Sequence, residues 1–426
     1  MSKTHNVVGE GTYGCVLKPS LKCNDDKNIN YANKVSKVMT KSDAKNEIKE
    51  YNHIKKIQNL NKYAISTPTY CDPEIDATFI SNVANCTTDK VKETFENNPR
   101  NLGMLLIEDG GIDLHRLVTK VFGTIQLDGK KQFLKSIINL FDGLIFFREN
   151  DIIHRDIKLE NMVYNVHTGN IKYIDFGLMT SKTKLIKNCQ TNTEERAISH
   201  SYWPPENSCS NKHFFLYSED VKCRHLRNNF ASHNIFLEKA TASFDSYCLT
   251  LALAKLFSYI SQKKLIPNFN IFFNSFIPIL MAYCEGDIVI RETDMHKLKA
   301  SYIEALKKNN LYSTTLVTPS PELINKIKSI EKEEKEKKEK KEKKEKKEKK
   351  ENKEKKSKLM KSKTIKSNSL KSKSRTIKNN SSGSTKKRNK CTSINKDYNH
   401  ITRRCNMKCP PNKKRDRNFK CVKKSA

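Results

Sequence analysis

Three short stretches of the sequence hold residue types that could manage a transferable phosphate. Val7 and Val8 lead into Gly9-Glu10-Gly11-Thr12-Tyr13-Gly14-Cys15-Val16, a glycine-rich turn between two strand-like runs. Glycines let a backbone come close to a ligand and aim its N–H groups at anionic oxygens, although the same spacing also serves dinucleotide sites and plain tight turns. The second stretch, His154-Arg155-Asp156-Ile157-Lys158-Leu159-Glu160-Asn161, combines a carboxylate, a lysine and an amide. The third, Asp175-Phe176-Gly177, adds another carboxylate fourteen residues after Asn161. Carboxylate and amide oxygens suit Mg²⁺, a carboxylate can accept the proton of a hydroxyl, and an ammonium can neutralise phosphate.

In this order and spacing the three stretches resemble the glycine-rich loop, catalytic loop and metal-binding triplet of the eukaryotic-type protein kinases. The resemblance covers roughly residues 5–312. It implies an α+β, bilobal protein kinase fold, with a small β-rich N-lobe and a larger helical C-lobe, that transfers the γ-phosphoryl group of ATP to protein substrates with Mg²⁺. Gly9, Glu10, Gly11, Gly14 and Val16 would then contact ATP, Asp175 and Asn161 would each hold Mg²⁺, and Asp156 would take or orient the proton of the attacking hydroxyl. Lys158 would steady the γ-phosphate, and a lysine there resembles the serine/threonine kinases. Glu108, ending the run Met104-Leu105-Leu106-Ile107-Glu108-Asp109, would offer backbone groups to adenine. His154, Phe176 and Tyr51 would pack together without acid–base work.

The phosphate-contacting lysine is one of two. Strand alternation puts Lys34 and Lys37 on opposite faces, so only one can point at a nucleotide. With Lys37 inward, Val35 and Met39 turn in beside it while Lys34 and Ser36 face out, a pattern that favours Lys37. With Lys34 inward, Ala32 sits where the family has a small residue under adenine. The family's partner glutamate falls on Glu47, with Glu50 as the alternative, although the ten residues from Lys37 to Glu47 are fewer than the family usually has.

By the same resemblance Tyr202-Trp203-Pro204-Pro205-Glu206 ends the activation segment, Arg291 is the buried partner of Glu206, and Asp245 holds the catalytic loop's backbone. Arg155 resembles the arginine of kinases switched by a negative charge in that segment, for which Thr191, Thr193, Glu194 and Glu195 are candidates. Two insertions depart from the family. Residues 207–240 carry Cys209, His213, Cys223, His225 and His233, which lack the spacing of a zinc site. Residues 60–100 are polar and read as a strand plus a surface insertion.

The elements that must position these residues are legible as periodicities. A strand is expected over Tyr31–Met39, followed by a helix capped by Ser42 and Asp43 with Ile48, Tyr51, Ile54 and Ile57 on its buried face. Another strand is expected over Met104–Ile107, and helices over Phe133–Phe147, 244–260 and 271–283. The expected domains are an N-lobe over 1–108, a C-lobe over 109–315, a low-complexity linker over 316–390 and a cysteine-containing module over 391–426.

Charge explains why the last part is set apart. The 426 residues carry 81 Lys and Arg against 47 Asp and Glu, and 38 of the former but only 12 of the latter follow residue 330, so +26 of the formal +34 lies there. Such a segment cannot bury enough apolar surface to repay its chain entropy. The Lys-Lys-Glu run of 331–356 reads as a solvated spacer or a charged, marginal helix. Residues 357–390 hold many lysines and no acid, which suits non-specific binding of nucleic acid or another anionic surface. Cys391 and Cys405, then Cys409 and Cys421, resemble two copies of a two-cysteine adaptor module of large nucleocytoplasmic DNA viruses, which implies a viral protein located in virions and host cytoplasm and tethered to virion components. A zinc site built from the four is the alternative. The nine other cysteines have no regular spacing and read as free thiols of a reducing compartment. No signal peptide or membrane span is expected. Two other classes stay open beside the serine/threonine kinase: a kinase-fold scaffold without turnover, and a polyanion-binding virion protein.

Overall fold

The computed structural model describes residues 6–11, 13–24, 28–65, 68–191, 200–315, 317–330 and 333, with four short strands near the C-terminal end. Residues 1–345 form one compact unit and 346–426 another.

The first unit opens with β1 (Asn6–Glu10), β2 (Gly14–Lys18), β3 (Lys34–Thr40), α1 (Lys41–Ile54), β4 (Thr69–Cys71), α2 (Ala77–Val83), α3 (Asp89–Asn97) and β5 (Leu102–Glu108). The five strands make one antiparallel sheet in the order β1-β2-β3-β5-β4. Register places Val16 opposite Lys37, and Lys37 opposite Leu105, so these three share a face. Met39 and Leu105 on that face pack on Ala44 of α1. The opposite face is just as closed. Cys15, Leu17, Val38, Met104 and Leu106 pack against Phe79, Val83 and Val91 of α2 and α3.

That second layer corrects two expectations. The 60–100 insertion is not merely surface chain, because α2 and α3 form a small core over the sheet. Ser36 therefore does not face solvent: it is fully buried, and its hydroxyl accepts from the Leu21 N–H at 3.1 Å. The cap of α1 is also two residues earlier than Ser42, since Thr40 Oγ1 accepts from the Asp43 N–H at 3.1 Å.

After β6 (Ile112–Asp113) and α4 (Leu114–Arg116), the chain builds its larger, helical part. It contains α5 (Leu127–Ser136), α6 (Ile138–Glu149), β7 (Ile152–Ile153), β8 (Met162–Asn165), β9 (Asn170–Tyr173), β10 (Thr180–Ser181), α7 (Lys182–Thr191), α8 (Lys212–Tyr217), α9 (Val221–Asn229), α10 (His233–Gln262), α11 (Phe269–Tyr283) and α12 (Met295–Lys308). Phe141, Phe257, Phe272, Phe276 and Tyr302 meet at its centre. A further helical segment, 321–330, falls where the sequence suggests linker, yet Leu323 and Ile330 join this core. The other insertion folds as well: Phe215, Leu226, Phe236 and Leu237 make a satellite core. Beside it, Arg291 donates to both oxygens of Glu206 at 2.6 and 2.9 Å, fully out of water.

The expectation of free thiols is overturned for six cysteines. Cys15 pairs with Cys86, Cys23 with Cys71 and Cys209 with Cys223, at Cα separations of 6.0, 5.7 and 5.5 Å. Partners 71, 48 and 14 residues apart leave no spacing motif to read. The second unit holds two antiparallel hairpins, β11 (Lys396–Asn399) with β12 (Arg404–Met407) and β13 (Lys413–Arg415) with β14 (Cys421–Lys423). Cys405 and Cys421 lie on the second strand of each, while Cys391 and Cys409 lie outside the described residues. Among the described residues no helix is long and apolar enough to cross a membrane.

Candidate active site

One ammonium links the sheet, the helix packed on it and the loop after β9. Lys37 Nζ, on the inner face of β3, lies 2.8 and 2.9 Å from the two oxygens of Glu47 on α1 and 3.3 Å from Asp175 Oδ1 on the loop after β9. Burial alone would lower the lysine's pKa, but Asp175 and Glu47 together raise it above the ordinary lysine value. The same lysine is the main cause that holds the Asp175 carboxyl below the usual range, against its burial. Burial pushes the Glu47 carboxyl up from its ordinary value, with Lys37 pulling it back down, so the shifts favour the charged form at Lys37 and Asp175 but not at Glu47. Lys34 lies on the other face of β3, and the side chain of Glu50 is outside the described residues.

The catalytic-loop residues are held from behind. Asp245, buried in α10, accepts the N–H groups of His154 at 2.7 Å and Arg155 at 2.9 Å. That grip fixes Arg155 at φ +65°, a left-handed conformation that a non-glycine residue adopts only when its surroundings impose it. Asp175 sits at φ +63°, next to Phe176, whose ring lies 4.5 Å from that of His154 and 5.9 Å from that of Tyr51. His154 is fully buried, and its Nε2 is 3.1 Å from the Ile174 carbonyl. The Arg155 guanidinium lies over Trp203, and its Nε has no hydrogen-bond partner among the described residues. Thr193, Glu194 and Glu195 fall outside the described residues, and Thr191 ends α7.

Asp156 is encircled. Lys158 Nζ donates to its two oxygens at 2.9 and 3.0 Å, Asn161 Nδ2 donates to Oδ2 at 2.7 Å, and the Tyr202 hydroxyl donates to Oδ1. Sequence reasoning gave Tyr202 no such contact. Its only signal is its place four residues before Glu206. With its NH₂ engaged on Asp156, Asn161 keeps its amide oxygen as a hard donor, and Asp175 supplies an ionised carboxylate whose side chain is 41% exposed. Oxygen donors of this kind fit Mg²⁺.

Residues assigned to the glycine-rich loop play different parts. A Cβ on Gly14 would meet the Val38 carbonyl at 2.6 Å, so this glycine is required for packing on β3. A Cβ on Gly11 would meet nothing within 4 Å, and one on Gly9 only Val16 at 3.6 Å, so both leave room for a ligand to come close, while the Gly11 N–H donates to the Gly14 carbonyl at 2.9 Å. The carboxylate of Glu10 turns toward the insertion, where it accepts from the N–H and the hydroxyl of Thr87 at 2.8 Å each. The Thr88 hydroxyl reaches the carbonyls of Gly11 at 3.1 Å and Gly14 at 3.4 Å, and the Cys15–Cys86 pair closes the same junction. The insertion thus clamps the loop from outside. Val16 shares the Lys37 face, whereas the Glu108 side chain is exposed and 3.9 Å from Lys172.

In the 207–240 insertion Cys209 and Cys223 bond each other, His225 meets Asp287 at 3.0 Å and His233 meets the Ser210 carbonyl at 2.8 Å. Among the described residues, the group of ligand-type side chains gathered within 4.8 Å here is Cys209, Asp220 and Cys223, and none of His213, His225 and His233 belongs to it.

Residues 2–221, just over half of the chain, match the sequence model of the family described as "Protein kinase domain". The chain belongs to that family. Among curated proteins, this chain is 38% identical over 72 residues to "Mitogen-activated protein kinase kinase kinase 15" of Mus musculus, covering 17% of this chain and 5% of that protein. It is 35% identical over 94 residues to "Serine/threonine-protein kinase pim-2" of Danio rerio, covering 22% and 27%, and 34% identical over 95 residues to "Cyclin-dependent kinase 9" of Homo sapiens, covering 22% and 24%. The matched segments thus span about a quarter or less of these relatives' lengths.

The clamp is testable in reduced protein, where the Cys15–Cys86 bond no longer holds the kinase domain's loop. Thr88→Val keeps the side chain's shape but removes about 1 kcal/mol of hydrogen bonding, so the Gly11 amide should exchange roughly fivefold faster while α10 amides keep their rates. Unchanged exchange at Gly11 would mean that the insertion does not restrain the loop.

Proposed function

We propose that this chain is a serine/threonine protein kinase that uses ATP and Mg²⁺. The observation that carries the reading is the single site in which Lys37, paired to Glu47, reaches Asp175 while Asp156 stands beside Lys158 and Asn161. Phosphoryl transfer needs positioning and charge neutralisation more than covalent help from the protein. Lys37 takes the nucleotide's phosphates, and Glu47 keeps its ammonium aimed at them. The backbone of Gly9 and Gly11 covers the phosphates, Val16 flanks the base, and the Glu108 backbone meets adenine. Asp175 and Asn161 hold Mg²⁺, which when bound neutralises charge on the transferred group. Asp156 orients the acceptor hydroxyl and receives its proton, and Lys158 offsets the charge that gathers during transfer. The lysine at 158 supports the serine/threonine assignment, as does the likeness to the Danio rerio "Serine/threonine-protein kinase pim-2".

A cavity of about 650 Å³ opens beside this site, walled by Val118, Leu251, Tyr259 and Tyr202, with His115 and Lys255 also lining it. It suits a protein substrate's side chain next to the acceptor. The reading extends to the tail: the Lys-rich segment 357–390 meets polyanions, and the paired-cysteine end, with one hairpin in each half, tethers the enzyme to virion components of a DNA virus, in virions and host cytoplasm. A second reading, a scaffold without turnover, is favoured by one observation, the Tyr202 hydroxyl already seated on Asp156.

Phosphorylation of a Ser/Thr peptide library by the full chain with Mg²⁺ and ATP decides between the two. Activity is expected, with a fall of two to four orders of magnitude in Asp156→Asn, by loss of the base, on the order of general-base contributions. Lys37→Met should abolish turnover and Lys34→Met should largely spare it. No transfer by folded wild-type chain would establish the scaffold.

Deleting 331–426 should leave peptide phosphorylation within a few fold, while retention on heparin falls. Loss of peptide activity in a truncated chain with unchanged circular dichroism would show that the tail belongs to the enzyme.

A further inference from the structure

The cavity beside the active site has one wall made by a single helix. Cys248, Leu251, Ala252, Lys255, Leu256 and Tyr259 all line it, and their spacing of three and four puts them on one face of α10. The Cys248 end of that face lies at the reaction centre, because its Sγ reaches the Tyr202 carbonyl at 3.4 Å and the Tyr202 phenol donates to Asp156. Lys255 is seven residues farther along, about 10 Å at the rise of an α-helix. An extended peptide covers that distance in about three residues.

The charges in the cavity are few. Lys158 is taken up by Asp156, at 2.9 and 3.0 Å, which leaves Lys255 and Glu160, with His115 also lining the space. Glu160 comes from the catalytic loop itself, two residues after Lys158, whereas Lys255 comes from the far part of the α10 face. Lys255 is exposed and, among the described residues, makes no ion pair of its own. Residues 1–330 carry the remaining +8 of the formal charge, which draws acidic partners toward the enzyme before they dock.

We infer that Lys255 is a specificity-determining residue, which selects substrates carrying an acidic side chain two to four positions from the phosphorylated serine or threonine. The inference rests on the kinase reading and names the class of protein that the same site takes. With the acceptor hydroxyl on Asp156 in place of the Tyr202 phenol, the substrate chain runs along the α10 face. Leu251 and Ala252 meet its aliphatic parts, and its carboxylate meets the Lys255 ammonium. A basic side chain at that place sets like charges together. The pair is open to solvent, so it changes kcat/KM by up to about fivefold rather than by orders of magnitude.

The experiment gives the full chain Mg²⁺, ATP and a set of serine peptides that differ only in one Glu, Ala or Lys, placed in turn at each position on either side of the acceptor. The expected result at low salt is a kcat/KM about fivefold higher for Glu than for Ala at a position two to four residues from the serine, and a lower one for Lys there. Lys255→Arg should keep this ratio, Lys255→Gln should level it and Lys255→Glu should reverse it. The ratio is taken within each variant, so a general loss of activity does not imitate the effect. Turnover without a preference at these positions, or with one that survives Lys255→Glu, overturns the inference and leaves the kinase reading intact. A preference for Lys that Glu160→Gln removes also overturns it, because the catalytic-loop carboxylate then sets the choice. If the folded chain phosphorylates none of the peptides, the kinase reading fails and the inference fails with it.

Discussion

Everything in this site depends on one ammonium held between two carboxylates. Lys37 comes from the middle of the sheet, Glu47 from the helix that packs on it, and Asp175 from the loop after β9. Burying a charge is costly unless it is matched, and the Lys37 ammonium has a carboxylate on each side only when all three elements are in place. The pair Lys37–Glu47 joins the packing of Ala44 on Met39 and Leu105 in seating α1 on the sheet, and the contact with Asp175 adds to the backbone bonds of Tyr63 and Ile65 with Tyr173 in tying that side to the helical part. The triad is therefore a structural constraint as well as the centre of the proposed phosphate site.

The remaining parts of the site show the same economy of restraint. Two non-glycine residues, Arg155 and Asp175, hold left-handed backbone conformations, each costing on the order of 1–3 kcal/mol. Asp245 holds the first by accepting two backbone N–H groups, and the buried stack of Tyr51, Phe176 and His154 packs beside the second. Above them, the glycine-rich loop is tied to the α2–α3 insertion through Glu10, Cys15 and Thr88. Residues that would contact nucleotide are thus rigid at their bases and open only where Gly9 and Gly11 face outward.

The sequence made the site's local pieces readable because each is a short motif whose residue types have narrow chemical uses: three glycines, an aspartate with a lysine two residues on, an aspartate before a phenylalanine. Strand parity likewise separated Lys34 from Lys37, since alternation is strict in a strand. What it could not show was long-range. Parity predicted that Ser36 faces water, yet α2 and α3 cover that face, and their polar composition disguised the few residues, Phe79, Val83 and Val91, that do the covering. The cysteine pairs span 71 and 48 residues in this lobe, so nothing local marks them. Tyr202 was visible only as part of a motif near Glu206, because its contact with Asp156 crosses 46 residues. Leu323 and Ile330 were hidden by the lysine-rich composition around them.

The central claim is that Lys37 and Asp175 act as one unit in holding Mg²⁺-nucleotide. A double-mutant cycle with Lys37→Met and Asp175→Asn, read by calorimetric binding of ATP with and without Mg²⁺, tests it most directly. The account predicts non-additive losses, with a coupling of at least about 1 kcal/mol that depends on Mg²⁺. Additive losses, or full Mg²⁺-dependent binding in the double variant, would contradict it.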